Sequence, residues 1–215
     1  MNKSENVNKH AERLFTRFPE LRTDSENFLH IYSILKNLFC KRKILFICGN
    51  GGSCADGEHI TGELLKSFIL KRKPSDQVKK AFEEKLGSEN ILDKLQPGFR
   101  AIALSNHPAL STAYINDVDP LMVYAQQLFV LGSEGDVLLG ISTSGNAKNI
   151  YNAFKTARAC GITTILMTGQ NHGICEKYAD AILRAPATET YLVQEYHLPM
   201  YHTLCMMIEE EFYGE

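Results

Sequence analysis

The sequence predicts a doubly wound, five-stranded parallel α/β sheet, and three observations carry that reading. Five short, continuous apolar runs recur along the chain, at 44–48, 99–104, 137–141, 163–167 and 181–184. None alternates apolar with polar residues, so each reads as a strand buried on both faces. Segments of helical period separate most of them, at 53–70, 120–131, 147–159 and 171–178, and strands alternating with helices make parallel sheets. Two loop-forming stretches directly follow the first and third runs, at the carboxyl ends of strands where such sheets bind ligands.

In chain order, residues 1–18 are polar apart from Leu14, Phe15 and Phe18, and predict a short helix ending before Pro19. In 24–40, Phe28, Ile31, Leu35, Leu38 and Phe39 fall on one side of a helix, with Asp24 or Ser25 as its N-cap. These two leading helices, 1–42, either cover the sheet or pack on a partner subunit. The charged stretch beginning Lys71-Arg72-Lys73-Pro74 interrupts the rhythm, and Val78, Phe82 and Leu86 give it a weak helical stripe. It is expected to be an inserted helix pair or lid over 71–97, a solvated element without chemistry. The final segment, 188–213, is strongly helical and carries Gln194, His197 and His202.

A chain of 215 residues with 44% apolar residues can bury one full core, and a single domain over 1–215 is expected. A net charge of −2 supplies no general attraction to nucleic acid or anionic membrane. No apolar run approaches the length of a membrane span. The polar N-terminus lacks the apolar stretch of a signal peptide, and the six cysteines form no C-x-x-C pair, so reduced thiols in a cytoplasm are expected.

The first loop is Gly49-Asn50-Gly51-Gly52-Ser53. Its glycines let the backbone turn and approach a ligand closely, and Ser53 opens a helix whose free N–H groups and dipole favour an anion. The spacing is neither that of a dinucleotide fingerprint nor that of a Walker loop. The second is Ser142-Thr143-Ser144-Gly145-Asn146, three hydroxyls at a helix start that offer neutral donors to phosphate oxygens. Neither loop has a Lys or Arg, which points to a phosphate monoester rather than a triphosphate.

The helix after the first loop carries His59 and Glu63, i and i+4, about 40° apart around the axis and able to share one metal ion or substrate. Around the last helix, Gln194 and His202 differ by about 80° and Glu195 and His202 by about 20°, so periodicity leaves open which of the two works with His202. A His/Glu/His set beside a phosphate suits aldose–ketose isomerisation. That reaction needs a base for a carbon-bound proton, an acid for oxygen and stabilisation of an enediolate, which a divalent metal can supply. Asn116-Asp117, placed in a loop after the second strand, offers polar groups to sugar hydroxyls.

Taken together, these motifs resemble the sugar-isomerase (SIS) domain over residues 44–210 and, within it, the phosphoheptose isomerases. The resemblance implies a flavodoxin-like three-layer sandwich and conversion of sedoheptulose 7-phosphate to D-glycero-D-manno-heptose 7-phosphate. It also implies a cytoplasmic homotetramer with active sites at subunit interfaces, partnering neither nucleic acid nor membrane. One Zn2+ per subunit is implied on His59, Glu63, Gln194 and His202, with Glu63 as general base and His202 as general acid. The substrate positions it implies are Asn50, Gly51, Gly52, Ser53, Glu63, Asn116, Asp117, Ser142, Thr143, Ser144 and Gln194. Ala147 stands where the family usually has Ser, and Lys66-Ser67-Phe68 where compact members have Gly-Arg-Phe; Lys66 or Lys71 is the candidate to replace that arginine. Related SIS proteins are sugar-phosphate-sensing or DnaA-binding regulators without catalysis, and others isomerise amino sugars or cleave ethers. The retained Glu63 and His202 favour the isomerase.

Overall fold

The computed structural model describes residues 3–87 and 91–214. Five strands form one parallel sheet: β1 (Leu45–Gly49), β2 (Ala101–Ala103), β3 (Val137–Ile141), β4 (Thr163–Thr168) and β5 (Ala181–Arg184), in the order β2-β1-β3-β4-β5. The apolar runs therefore become the strands, although the second shortens from 99–104 to three residues. β1 and β3 are buried along their whole length, as their composition requires.

Two cores follow from the two-residue period of the strands. Leu45, Ile47, Leu139, Ile141 and Met167 face one layer, built from α1 (Lys3–Arg17), α2 (Ser25–Cys40), α3 (Gly52–Leu65) and α8 (Thr190–Tyr213). Phe46, Cys48, Leu138 and Leu166 face the other, against α6 (Val123–Leu131) and α7 (Lys148–Ala159). The expected stripe of α2, from Phe28 to Phe39, is buried in the first core, and α1 ends before Pro19. Asp24 stands at the N-cap of α2, but its carboxylate is used elsewhere. It accepts the Arg184 backbone N–H at 2.9 Å and so ties the leading helices to β5.

Several segments depart from expectation. The helix expected over 53–70 stops at Leu65, and that over 171–178 is a 3-10 turn, Ile174–Tyr178. The 71–97 segment holds one α-helix, α4 (Asp76–Leu86), and a 3-10 turn, Leu92–Lys94, in place of a helix pair; residues 88–90 lie outside the described residues. An unexpected helix, α5 (Pro108–Asp117), follows β2. Its last turn carries Asn116 and Asp117, which therefore end a helix instead of lying in a loop. Pro199 sits inside α8 without interrupting it. All six cysteines are free thiols, and among the described residues no helix is long and apolar enough to cross a membrane.

Close packing of α7 on β3 depends on Gly140. A Cβ there would stand 2.4 Å from Phe154 Cε1 and 2.8 Å from Ile150 Cγ2, both on α7. Gly140→Ala overpacks this contact and is expected to cost about 1–3 kcal/mol. The measurement is urea unfolding: the midpoint should fall at an unchanged m-value, and an unchanged midpoint would show that α7 shifts freely.

Candidate active site

β1 and β3 run side by side in register, with Gly49 opposite Ile141, so the two candidate phosphate loops leave the sheet at the same level. In the first, Gly51 adopts φ 56° and the turn closes through Ser53 N–H to Asn50 O (3.1 Å) and Cys54 N–H to Gly51 O (3.0 Å). Tyr124 on α6 donates to the Gly49 carbonyl. Ser53 is buried, so at the first turn of α3 it is backbone, more than hydroxyl, that faces a ligand.

The second loop folds back on itself. Gly145 N–H bonds Ser142 O, Asn146 caps Ser144 through both side chain and backbone, and Cys175 N–H bonds Gly145 O. Ala147 is the N-cap of α7 and supplies no side-chain acceptor to the helix; in the first turn Asn149 Oδ1 accepts the Ile150 N–H at 3.0 Å. Asn149, one residue into α7, joins the two loops. It donates to Asn50 Oδ1 at 2.8 Å and accepts from Asn50 Nδ2 at 3.0 Å. Sequence reasoning passed over Asn149; no spacing rule couples it to Asn50, and only strand order brings them together.

The acid/base candidates converge beside these loops. His59 Nε2 lies 3.2 Å from Glu63 Oε1, its i+4 neighbour on α3, and 3.4 Å from His202 Nε2 on α8. Glu63 is nearly buried, and its second oxygen accepts from Lys66 Nζ at 3.1 Å. Of the two lysines considered for the absent arginine, Lys66 thus engages Glu63, whereas Lys71 lines a cavity of about 700 Å³ beside α4. Burial, then the neighbouring His59, hold the His202 pKa below its ordinary value against the pull of Glu63.

Behind His59, Tyr201 OH lies 3.0 Å from Nδ1 and 3.3 Å from Asp56 Oδ1. Burial raises the Asp56 pKa, and its other oxygen has no partner among the described residues. In the tautomer whose Nδ1–H donates to the phenol, Nε2 carries the lone pair that a metal ligand needs. Neither Tyr201 nor Asp56 was apparent from the sequence, where both read as ordinary helix residues.

Gln194 is the member of the Gln194/Glu195 pair that faces the loops. A Cβ on Gly52 would come within 2.4 Å of Gln194 Nε2, so the amide lies directly on the first loop, while Glu195 is exposed. Asn116 and Asp117 are exposed at the end of α5 and bonded to each other at 2.8 Å.

The donor chemistry at His59 fits a zinc ion. Ligands about 2.0–2.1 Å from a tetrahedral zinc stand roughly 3.3–3.4 Å apart, close to the two edges that meet at His59. Among the described residues no three His, Cys, Asp or Glu side chains form a metal-holding set as they stand, so an ion would have to draw its remaining donors inward.

The SIS domain family model matches residues 88–169. Phosphoheptose isomerase of Clostridium acetobutylicum is 36% identical over 190 residues, 88% of this chain and 85% of the relative. That of Helicobacter pylori is 34% identical over 203 residues, 94% and 92% of the two chains. Among solved structures, phosphoheptose isomerase of Francisella tularensis superposes with a TM-score of 0.75 at 26% identity, covering 97% of this chain and 98% of the other. That of Neisseria gonorrhoeae gives 0.72 at 26% identity, covering 97% and 99%. With relatives this similar along nearly the whole of both chains, this chain belongs to the phosphoheptose isomerase family of SIS-domain proteins.

Proposed function

We propose that this protein isomerises sedoheptulose 7-phosphate to D-glycero-D-manno-heptose 7-phosphate. One observation carries the reading: Glu63 and His202, from different helices, meet at His59 on the helix opened by the first phosphate loop. Anchor and chemistry thereby share one rigid element. The 7-phosphate rests on the two loops, held by Ser142, Thr143 and Ser144 and by backbone N–H groups at the starts of α3 and α7. We assign Asn50, Gly51, Gly52, Ser53, Gln194, Asn116 and Asp117 to contacts with the sugar phosphate.

Glu63 takes the proton from the hydroxymethyl carbon beside the ketone and returns it to the former ketone carbon. His202 gives a proton to the ketone oxygen and receives one from the neighbouring hydroxyl, so no proton is gained or lost over the cycle. Tyr201 and Asp56 orient His59. Zn2+, held by His59, Glu63, Gln194 and His202, would stabilise the enediolate as a Lewis acid. The unit of function is a cytoplasmic homotetramer with sites at subunit interfaces. Exposed apolar residues on α5 and α6 (Ile115, Phe129 and Val130) support burial against another copy.

Purified protein supplied with Zn2+ and sedoheptulose 7-phosphate should release the aldose; no turnover of this or other ketose phosphates would sink the reading. Glu63→Gln should lower kcat at least about 10³-fold while sugar-phosphate binding persists by calorimetry, and retained turnover would remove Glu63 as base. Gly52→Ala should displace Gln194 and raise KM about tenfold or more, with the melting temperature held because position 52 keeps an ordinary helical backbone. A KM equal to the wild type would show that Gln194 plays no part in binding.

A further inference from the structure

Arg72 was read from sequence as part of a solvated run, yet its side chain and that of Glu209 on α8 are fully buried against each other. Arg72 Nε donates to Glu209 Oε1 at 2.7 Å. Its two remaining nitrogens turn the other way and donate to the carbonyls of Leu64 (2.7 Å) and Glu63 (2.8 Å). Those carbonyls belong to the last turn of α3, where a helix leaves acceptors unsatisfied and favours a cation. The rings of Phe99 and Tyr213 stand 5.0 and 5.5 Å from its carbon, packed edge-to-face on each other with centroids 5.7 Å apart, so the guanidinium rests against an aromatic pair.

Glu209 is equally committed. Its oxygens accept the backbone N–H groups of Phe68, Ile69 and Leu70 at 2.8–2.9 Å. The segment it gathers carries Phe68, whose ring packs on that of His202 at 5.4 Å. One ion pair therefore reaches both proposed catalytic groups through a single intermediary each: Glu63 through its own carbonyl, and His202 through Phe68.

We propose that Arg72 and Glu209 are a positioning pair that sets the distance between Glu63 and His202. The proposal rests on the acid/base reading of those two residues. Burial of the charge explains why the pair is built from arginine: a planar fork can serve a carboxylate and two carbonyls at once, and an ammonium cannot. Carbonyl placement matters because an error of about 1 Å at a reacting group costs on the order of 10²-fold in rate.

The test compares wild type, Arg72→Lys and Glu209→Gln for kcat, KM, Zn2+ affinity by calorimetry and melting temperature. Lysine restores the charge opposite Glu209 and so most of the stability, but not the fork to Glu63 and Leu64. Arg72→Lys is expected to lower kcat and Zn2+ affinity about tenfold each, the usual effect of losing an outer-shell support, with KM within about twofold and a melting temperature near that of wild type. Glu209→Gln, which keeps the size but leaves the buried guanidinium without its counter-charge, should lower kcat and Zn2+ affinity likewise and should also lower the melting temperature. Activity and Zn2+ affinity that match wild type in Arg72→Lys, or that fall only in step with melting temperature across the two variants, would overturn the proposal and leave the pair a stabilising contact. A wild type without turnover refutes the isomerase reading alone, since Zn2+ affinity still reports on the pair; a wild type that neither turns over nor binds Zn2+ leaves nothing to position and overturns both.

Discussion

The register between β1 and β3 is the constraint on which the site depends. Gly49 pairs with Ile141, so the strands end level, and the order β2-β1-β3-β4-β5 makes their junction the point where the connections change direction. The chain leaves β1 into α3, which packs on the core containing Leu45 and Ile47. It leaves β3 into α7, which packs on the core containing Phe46 and Leu138. Two loops that start together are thus pulled to opposite faces, and a crevice opens between them. The reciprocal amide pair of Asn50 and Asn149 spans it. A one-residue slip of either strand would turn its side chains to the wrong core, so the spacing of the loops is held by the whole hydrophobic interior.

α8 is the second support, and it brings polar groups into a buried place. His197 is wholly buried, and burial pushes its pKa down to about 4, so it is neutral at physiological pH. Its ring lies 3.3 Å from the Thr168 carbonyl at the end of β4, which pins α8 to the carboxyl edge of the sheet. Seven residues beyond His202, Glu209 would be raised by burial, but three backbone amides and Arg72 outweigh that and hold it below the usual carboxylate range. A carboxylate depressed in this way stabilises the fold fully above its unfolded pKa, about 4.3, and that stabilisation is lost as pH falls toward the folded value. α8 therefore carries His202 between two buried anchors, with Gln194 about one turn before the first.

Much of this was legible in the sequence, for physical reasons that also mark what was not. A strand buried on both faces must be apolar throughout, so the sheet announced itself, and the two loops were marked by glycines and hydroxyls that few other structures require. α5 was missed because Leu110 and Ile115 are exposed, so no stripe facing a core distinguishes the helix. Arg72 was misread because its partner lies 137 residues away; inside a run of charges, local composition describes the solvated neighbours and hides the one that is buried. The early end of α3 has the same origin, since the segment after Leu65 is gathered by Glu209 instead of continuing the helix. Gln194 and Glu195 could not be separated by angle. What separates them is the bare backbone of Gly52, against which only Gln194 can lie.

The two departures from the family pattern bear on binding more than on chemistry. Ala147 removes a hydroxyl at the N-cap of α7, and Ser142 Oγ already accepts the Ala147 N–H at 3.5 Å, so the loop spends part of its own donor and acceptor capacity internally. Lys66, beside the position of the missing arginine, is bonded to the Glu63 carboxylate and to the Ser67 carbonyl, and so is directed at Glu63. On the proposed reading the phosphate and sugar meet a more neutral, more backbone-dependent cradle, while Glu63, His59 and His202 keep their mutual contacts. Interactions made equally with substrate and transition state set affinity, whereas those made only in the transition state set the chemical rate. On the proposed reading, the two departures therefore bear on how tightly and how selectively the sugar phosphate is held, while Glu63 and His202, the proposed proton-transfer groups, are both retained.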